Sequence, residues 1–290
     1  MTARHHAPAI AGSLRSKAMA RVGVRLDPIP ETLLWTLWHR AVEARRPDSV
    51  IDDPLALELV ERIDFPFSER FGNGESLSQW QALRARCFDG AVRRFLKAHR
   101  GATVVALGEG LETQLWRVDD GRVRWVTVDL PEVIDLRRRL LPAQERNRLV
   151  SSSALDPGWL DAVEQDGAVL VTAQGLLMYL AADGVYALIE RCATRLRPGA
   201  FVFDAVPRWL VERSRRGGLR TPTGYAPPAW SWGVDAAEER RLRALPHVAA
   251  LQALRLPRGR GVVHGWALPV ATRVPAVRRR LLSVLVARFA

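Results

Sequence analysis

Cysteine is nearly missing from this chain: Cys87 and Cys192 are the only two in 290 residues. Two thiols cannot build a disulfide framework or a zinc cluster, so a reducing compartment, the cytoplasm, is the expectation. Lysine is equally scarce, since Lys17 and Lys97 are the only lysines among 43 basic residues. The formal net charge of +12 would suit a nucleic-acid partner. The arginines, however, are scattered over helical segments rather than gathered in one arm. That distribution fits solvated helix faces or an acidic small substrate, and nucleic acid is not expected as a partner. No run of about 18 uninterrupted apolar residues exists, so no membrane-spanning helix is expected. The basic stretch over residues 1–27 is too broken for a secretory apolar core and reads as a loose arm. Its His5-His6 doublet has no metal-spaced partners, and no metal is expected. A G-x-S-x-G elbow and a Cys/His pairing are both missing, so nothing points to a covalent nucleophile.

What is present is a strand, a glycine pair and a distant acid. The apolar run Thr103–Leu107 ends in Gly108-Glu109-Gly110, and a second apolar run, Val123–Val128, ends in Asp129. The glycines let a backbone approach a ligand closely, and an acid about 20 residues on can accept hydrogen bonds from a ribose diol. The third glycine of the dinucleotide fingerprint is missing, which favours a methyl-donor site over NAD.

Periodicity places helices at Glu31–Arg46, Pro54–Ile63 and Ser76–Ala98, a helical cap over residues 28–100. Strands and helices then alternate over residues 101–206: strands at Thr103–Leu107, Val123–Val128, Arg148–Val150, Ala168–Ala173 and Ala200–Val206, helices at Leu111–Val118, Pro131–Leu141, Pro157–Gln165 and Asp183–Leu196. This pattern predicts an α/β fold with a parallel sheet and helices on both faces. Ligands then sit beyond the carboxyl ends of the strands, and Gly108, Asp129, Ala154-Leu155-Asp156 and Gln174 all fall at such ends. Residues 207–233 lack a period and carry Trp209, Tyr225, Trp230 and Trp232, which suggests a lid or substrate loop. Residues 234–290 read as the completion of the sheet, with Ala249–Leu256 and Gly261–Pro269 as a closing strand pair and Pro275–Phe289 as a basic helix.

Several phrases fall in order: Arg40-Ala41-Val42-Glu43, Asp53-Pro54-Leu55-Ala56, Arg84-Ala85-Arg86-Cys87-Phe88-Asp89, VVALGEGLETQLWR, VDLPEVIDLRRRLLP, LDPGWLDAV and QGLLMYL before FVFDAVPRW. Together they resemble the leucine carboxyl methyltransferase-like family, in particular its bacterial branch of polyketide O-methyltransferases. The resemblance covers roughly residues 32–209 and implies a Rossmann-like class I methyltransferase sheet with a helical cap, and S-adenosylmethionine as cofactor. It implies that Arg84 pairs with the cofactor's methionyl carboxylate and that Gly108 and Gly110 form the loop under the methionine moiety. Asp129, followed by Leu130, would hold the ribose, Leu155 and its neighbours would flank the adenine, and Gln174 would border the methionine. Arg40 matches a basic residue that the family places near the site from its first helix.

The chain departs from the family pattern at three places. Glu109 stands between the glycines where the family has a small residue or Cys. Leu111-Glu112-Thr113-Gln114 replaces L-D-T-R. Gln174 replaces a glutamate. Two readings follow for Glu109: it takes over contact with the cofactor's ammonium or sulfonium charge, or cofactor binding has weakened.

The expected reaction is methyl transfer to oxygen on a small molecule of polyketide type. A carboxylate acceptor is already ionised at pH 7, whereas a hydroxyl needs a base within about 3 Å. The sequence marks no such base, which favours a carboxylate. Arg40, Tyr179, Arg208, Trp230 and Trp232 are the candidate substrate residues, with Arg208 as a carboxylate clamp. The rival readings are a methyltransferase fold that catalyses a cyclisation or rearrangement without methylation, and a non-catalytic scaffold. A homodimer is the candidate assembly.

Overall fold

A computed structural model describes residues 21–290 except Gln165. The His5-His6 doublet and most of the expected arm lie outside the described residues. The chain enters through a two-residue strand, β1 (Val22–Gly23), and then α1 (Pro28–Ala44) and α2 (Pro54–Arg62). A second two-residue strand, β2 (Ile63–Asp64), precedes α3 (Phe67–Phe71) and the long α4 (Glu75–Ala98). β1 pairs in parallel with β2, so residues 22–23, expected in a loose arm, are tied down. Asp53 caps α2 by accepting from the Ala56 amide at 3.2 Å, with Pro54 in the first helical position.

From residue 103 the chain alternates: β3 (Thr103–Leu107), α5 (Gln114–Val118), β4 (Arg124–Asp129), α6 (Pro131–Leu140), β5 (Asn147–Ser151), β6 (Val169–Ala173), α7 (Ala182–Arg195) and β7 (Gly199–Ala205). α8 (Arg208–Arg215) and α9 (Ala236–Arg243) follow, then β8 (Val248–Leu254), the short helices α10 (Leu268–Ala271) and α11 (Pro275–Arg278), and β9 (Ser283–Phe289). One seven-stranded sheet runs β5-β4-β3-β6-β7-β9-β8. β3 to β7 are mutually parallel, while β9 runs antiparallel between β7 and β8. The strand order reverses beside β3, and that switch point is where an α/β sheet opens a crevice.

β3 and β6 are buried along their whole length, which is why they read as unbroken apolar runs. Alternate residues face opposite layers. Val105, Val171 and Phe201 pack under α7 with Leu188, Ile189 and Cys192. Val104, Leu170 and Val202 pack under α4 with Phe88, Val92 and Leu96. α1, α2 and α3 form a separate layer in which Leu34, Leu37, Leu59 and Phe71 meet Val133, Leu136 and Leu140 of α6.

The C-terminal stretch departs from its expected form. Only Pro275–Arg278 is helical, and Ser283–Phe289 is a strand. Sandwiched between β7 and β8 and covered on both faces, β9 needs no polar alternation. A short apolar run of that kind carries no period to separate strand from helix. Conversely, the expected strand Gly261–Pro269 is helical over Val263–Ala267 and into α10. The expected helix Pro157–Gln165 is a short 3₁₀ helix over Pro157–Ala162. No helix among the described residues is long and apolar enough to cross a membrane.

Candidate active site

The chain leaves β3 through two left-handed glycines, Gly108 at φ +59° and Gly110 at φ +56°. A Cβ at Gly110 would stand 2.8 Å from Cβ of Leu33, and one at Gly108 2.9 Å from a Leu176 methyl. Conformation and space therefore both demand glycine. Asp129 at the end of β4 ties the loop down: its Oδ2 accepts from the Gly110 amide at 2.7 Å and its Oδ1 from the Leu130 amide at 2.8 Å. Burial raises the Asp129 pKa, and those two amides pull it the other way. Each oxygen keeps a second lone pair for a ligand.

Glu109 contributes to the wall of the larger cavity, and its Oε1 is buried without a partner. Its Oε2 accepts from the Thr127 hydroxyl at 2.6 Å and pairs with Arg137 Nη2 at 2.9 Å. Arg137, fully buried on α6, also donates to the Gly110 carbonyl at 2.6 Å and the Glu112 carbonyl at 3.2 Å. Through Oε2 the Glu109 carboxylate braces the glycine loop. Burial raises its pKa, with Arg137 opposing.

Arg40 is displaced from the substrate role expected of it. It is fully buried and bound to Asp53 at 3.2 Å, Glu112 at 2.9 Å and the Leu111 carbonyl at 2.9 Å. Arg117 of α5 completes the cluster with Asp53 at 2.9 Å, Asp89 at 2.8 Å and Glu112 at 2.8 Å. Gln114, which stands where the family has arginine, donates to Asp89 at 3.0 Å. Burial opposes ionisation of Glu112, but Arg40 and Arg117 outweigh it and bring its pKa down to about 2. Gln174 at the end of β6 donates to Glu112 at 3.0 Å. Its Oε1 is buried without a partner.

Two cavities open at the carboxyl ends of the strands. The larger, about 710 Å³, is lined by the glycine loop, Asp129, Leu130, Ser153, Ala154 and Gln174, with Arg84 and Tyr179 at its far end. The smaller, about 370 Å³, shares Arg84, Tyr179, Thr32 and Gly175 with it and is walled by Trp35, Trp80 and Trp230. Arg84, on α4, is mostly buried. Its Nη1 lies 3.5 Å from Asp204 Oδ2, and its Nε has no partner. Asp204, near the end of β7, also accepts from the Gly175 amide through Oδ2 and lines the smaller cavity.

The remaining candidates fall apart in space. Leu155 lies outside both cavity walls, against Gly184, and its neighbours Ser153 and Ala154 take the wall instead. Arg208 is exposed, 3.7 Å from Asp235, and lines neither cavity. Trp232 is buried against Phe203 and donates to Glu238 at 3.1 Å, so it belongs to the core. Trp230 and Tyr179 do line the smaller cavity. Asp204, Trp35 and Trp80 went unmarked in the sequence. Asp204 obeys the same strand-end rule as Asp129 and was findable, whereas the tryptophans are indistinguishable from the apolar stripes of α1 and α4.

The arrangement fits S-adenosylmethionine: a glycine loop that a Cβ would obstruct, an acid with free lone pairs one strand away, and an arginine and an amide each with an unpartnered buried atom. The class is that of S-adenosylmethionine-dependent methyltransferases. The family model of leucine carboxyl methyltransferase matches residues 33–193, and the chain belongs to that family. The tetracenomycin polyketide synthesis O-methyltransferase TcmP of Streptomyces glaucescens is 36% identical over 212 residues, 73% of this chain and 77% of that protein. The S-adenosyl-L-methionine-dependent methyltransferase dpfgK of Gibberella zeae is 34% identical over 202 residues, 63% of this chain and 67% of that protein. Among solved structures, the S-adenosylmethionine-dependent methyltransferase SibL aligns at a TM-score of 0.48 and 12% identity over 75% of this chain and 58% of that one. The fold assignment rests on the strand order.

Proposed function

We propose that this methyltransferase acts on an oxygen of a flat, largely apolar small molecule of polyketide type. The observation that carries the reading is the aromatic-walled cavity joined to the cofactor cleft at Arg84, Tyr179 and Gly175. Its size suits a ligand of a few fused rings. The name of the Streptomyces relative points the same way.

When bound, S-adenosylmethionine supplies a methyl group on a cationic sulfur, already a strong electrophile. The protein's own residues then have to bind, align and keep out water. Asp129 would hold the ribose hydroxyls, Arg84 the methionyl carboxylate, and Leu130, Ser153 and Ala154 the adenine. Gln174 Oε1 would accept from the ammonium group. Trp35, Trp80 and Trp230 would hold the acceptor's rings and dry the junction.

Calorimetric titration with S-adenosylmethionine and S-adenosylhomocysteine tests the cofactor cleft, with micromolar binding of both expected. Incubation with a panel of aromatic hydroxy and carboxylic acids, read by mass, then tests the acceptor. A gain of one CH2 supports the reading. Binding of both cofactor forms with no methylated product from any aromatic acceptor would overturn it.

A further inference from the structure

The arginines are spread along the chain, but the excess of positive charge is not. Residues 240–290 hold eleven arginines and no acidic residue, so they supply all but one unit of the net charge of +12. Arg255 just after β8, Arg273 after α10 and Arg278 of α11 meet around a pocket of about 240 Å³ whose walls include no carboxylate. Arg278 is held by Glu239, whereas Arg255 and Arg273 have no carboxylate in ion-pair reach among the described residues. The same stretch turns Val262, Val263, Trp266, Val270, Val274 and Val277 outward, with Val262 76% and Trp266 64% exposed. Its other side is fixed to α4, because His264 is buried and hydrogen-bonded to Gln79 at 3.2 Å. Trp209 of α8, half exposed, donates to the Arg280 carbonyl at 3.0 Å and so stands beside this stretch.

We propose that this face docks on an anionic lipid bilayer, with a lipid phosphate in the three-arginine pocket and the valine and tryptophan side chains among the headgroups. Single exposed apolar residues need no explanation. A short stretch that gathers six of them beside unpaired arginines has the composition of an interfacial segment. Arginine holds phosphate through its planar fork, and each base near an anionic surface adds attraction. Charge and shape select the occupant. A second copy would bring the same positive face, and residues 1–20 carry bases and no acid, so neither complements it. A pocket for one compact anion beside apolar side chains matches a lipid, whose phosphate and acyl chains are joined in that order. Ser283 lines both the arginine pocket and the smaller cavity. Docking would therefore bring the aromatic-walled cavity close to flat apolar molecules dissolved in the bilayer. That consequence rests on the acceptor role proposed for the cavity, and the docking itself does not.

Co-sedimentation of the full chain with vesicles tests this, comparing phosphatidylcholine alone with an equal mixture of phosphatidylcholine and phosphatidylglycerol. The wild type should partition onto the anionic vesicles at least about tenfold more strongly. The double variant Arg255→Gln with Arg273→Gln should weaken that binding about 20-fold, the loss of two charges at such a surface. Trp266→Ser should weaken it about fivefold through lost apolar burial. The double variant Arg138→Gln with Arg139→Gln, on α6, removes the same charge elsewhere and should bind within about threefold of the wild type. All five substituted side chains are exposed, so the variants should keep the wild-type melting temperature. An equal loss from the two double variants would overturn the proposal, because binding would then follow net charge and not this face. Undiminished binding of Trp266→Ser would overturn the insertion of the apolar side chains. Failure of the wild type to prefer the anionic vesicles would overturn the proposal outright and leave the face to an acidic protein partner.

Discussion

A glutamate between two left-handed glycines is tolerated because Arg137 sits beneath it. Glu109→Gln should therefore cost about 1–3 kcal/mol of stability by weakening a buried charge-assisted contact. It should leave the Kd for S-adenosylhomocysteine changed by less than about tenfold, because Oε2 is held by Thr127 and Arg137. Denaturant melts and calorimetry on the same preparation check both. Gly110→Ala should be more harmful, since it strains a φ of +56° and drives a methyl to 2.8 Å from Leu33. About 2–4 kcal/mol is expected from strain and crowding, read in urea denaturation. His39 carries a pH signature. Burial on α1 lowers its pKa from 6.5 to about 4. The unfolded chain then binds the extra proton between those values, so stability is complete above pH 6.5 and falls as pH drops toward 4, by up to about 3 kcal/mol. His39→Gln should flatten that part of the stability profile.

The helices of the cap are joined to the glycine loop through charge. Arg40 of α1, Asp53 before α2, Asp89 of α4 and Arg117 of α5 converge on Glu112 or its partners. Arg117→Ala would leave buried carboxylates facing one another, and a loss of about 3–5 kcal/mol is expected in thermal or chemical melts. Glu112 sets the acid limit of this cluster. Its folded pKa, about 2, lies below the ordinary carboxylate value. Its contribution is therefore present above about pH 4.5 and lost as pH falls toward 2. Much at this scale was legible. The α4 stripe of Leu83, Phe88 and Val92 has helical spacing, and the apolar runs of β3 and β6 announce buried parallel strands. Arg40 and Arg137 were not legible as clamps, because a chain with so many arginines gives no local sign of which are buried. β9 hid for a different reason: buried on both faces, it shows neither strand nor helix periodicity.

At the level of the whole molecule, the sheet's integrity depends on β9, which pairs with both β7 and β8. Leu285 at its centre is fully buried among Phe201, Phe203 and Leu251. Leu285→Ala should cost about 2–5 kcal/mol and lower the melting temperature by several degrees, as a differential scan would show. Damage there reaches the site, because β7 carries Asp204. The location of the cleft followed from strand order alone, since Gly108, Asp129 and Gln174 share one edge of the sheet. The second cavity did not, because Trp35, Trp80 and Trp230 come from elements remote in sequence and meet only after folding. The shared wall at Arg84 and Tyr179 also sets a kinetic order. A cofactor bound in the larger cavity would lie against the shared wall of the smaller one, so the acceptor is expected to enter second and leave first. Steady-state kinetics should then show a compulsory-order pattern, with S-adenosylhomocysteine competing against the methyl donor and not against the acceptor.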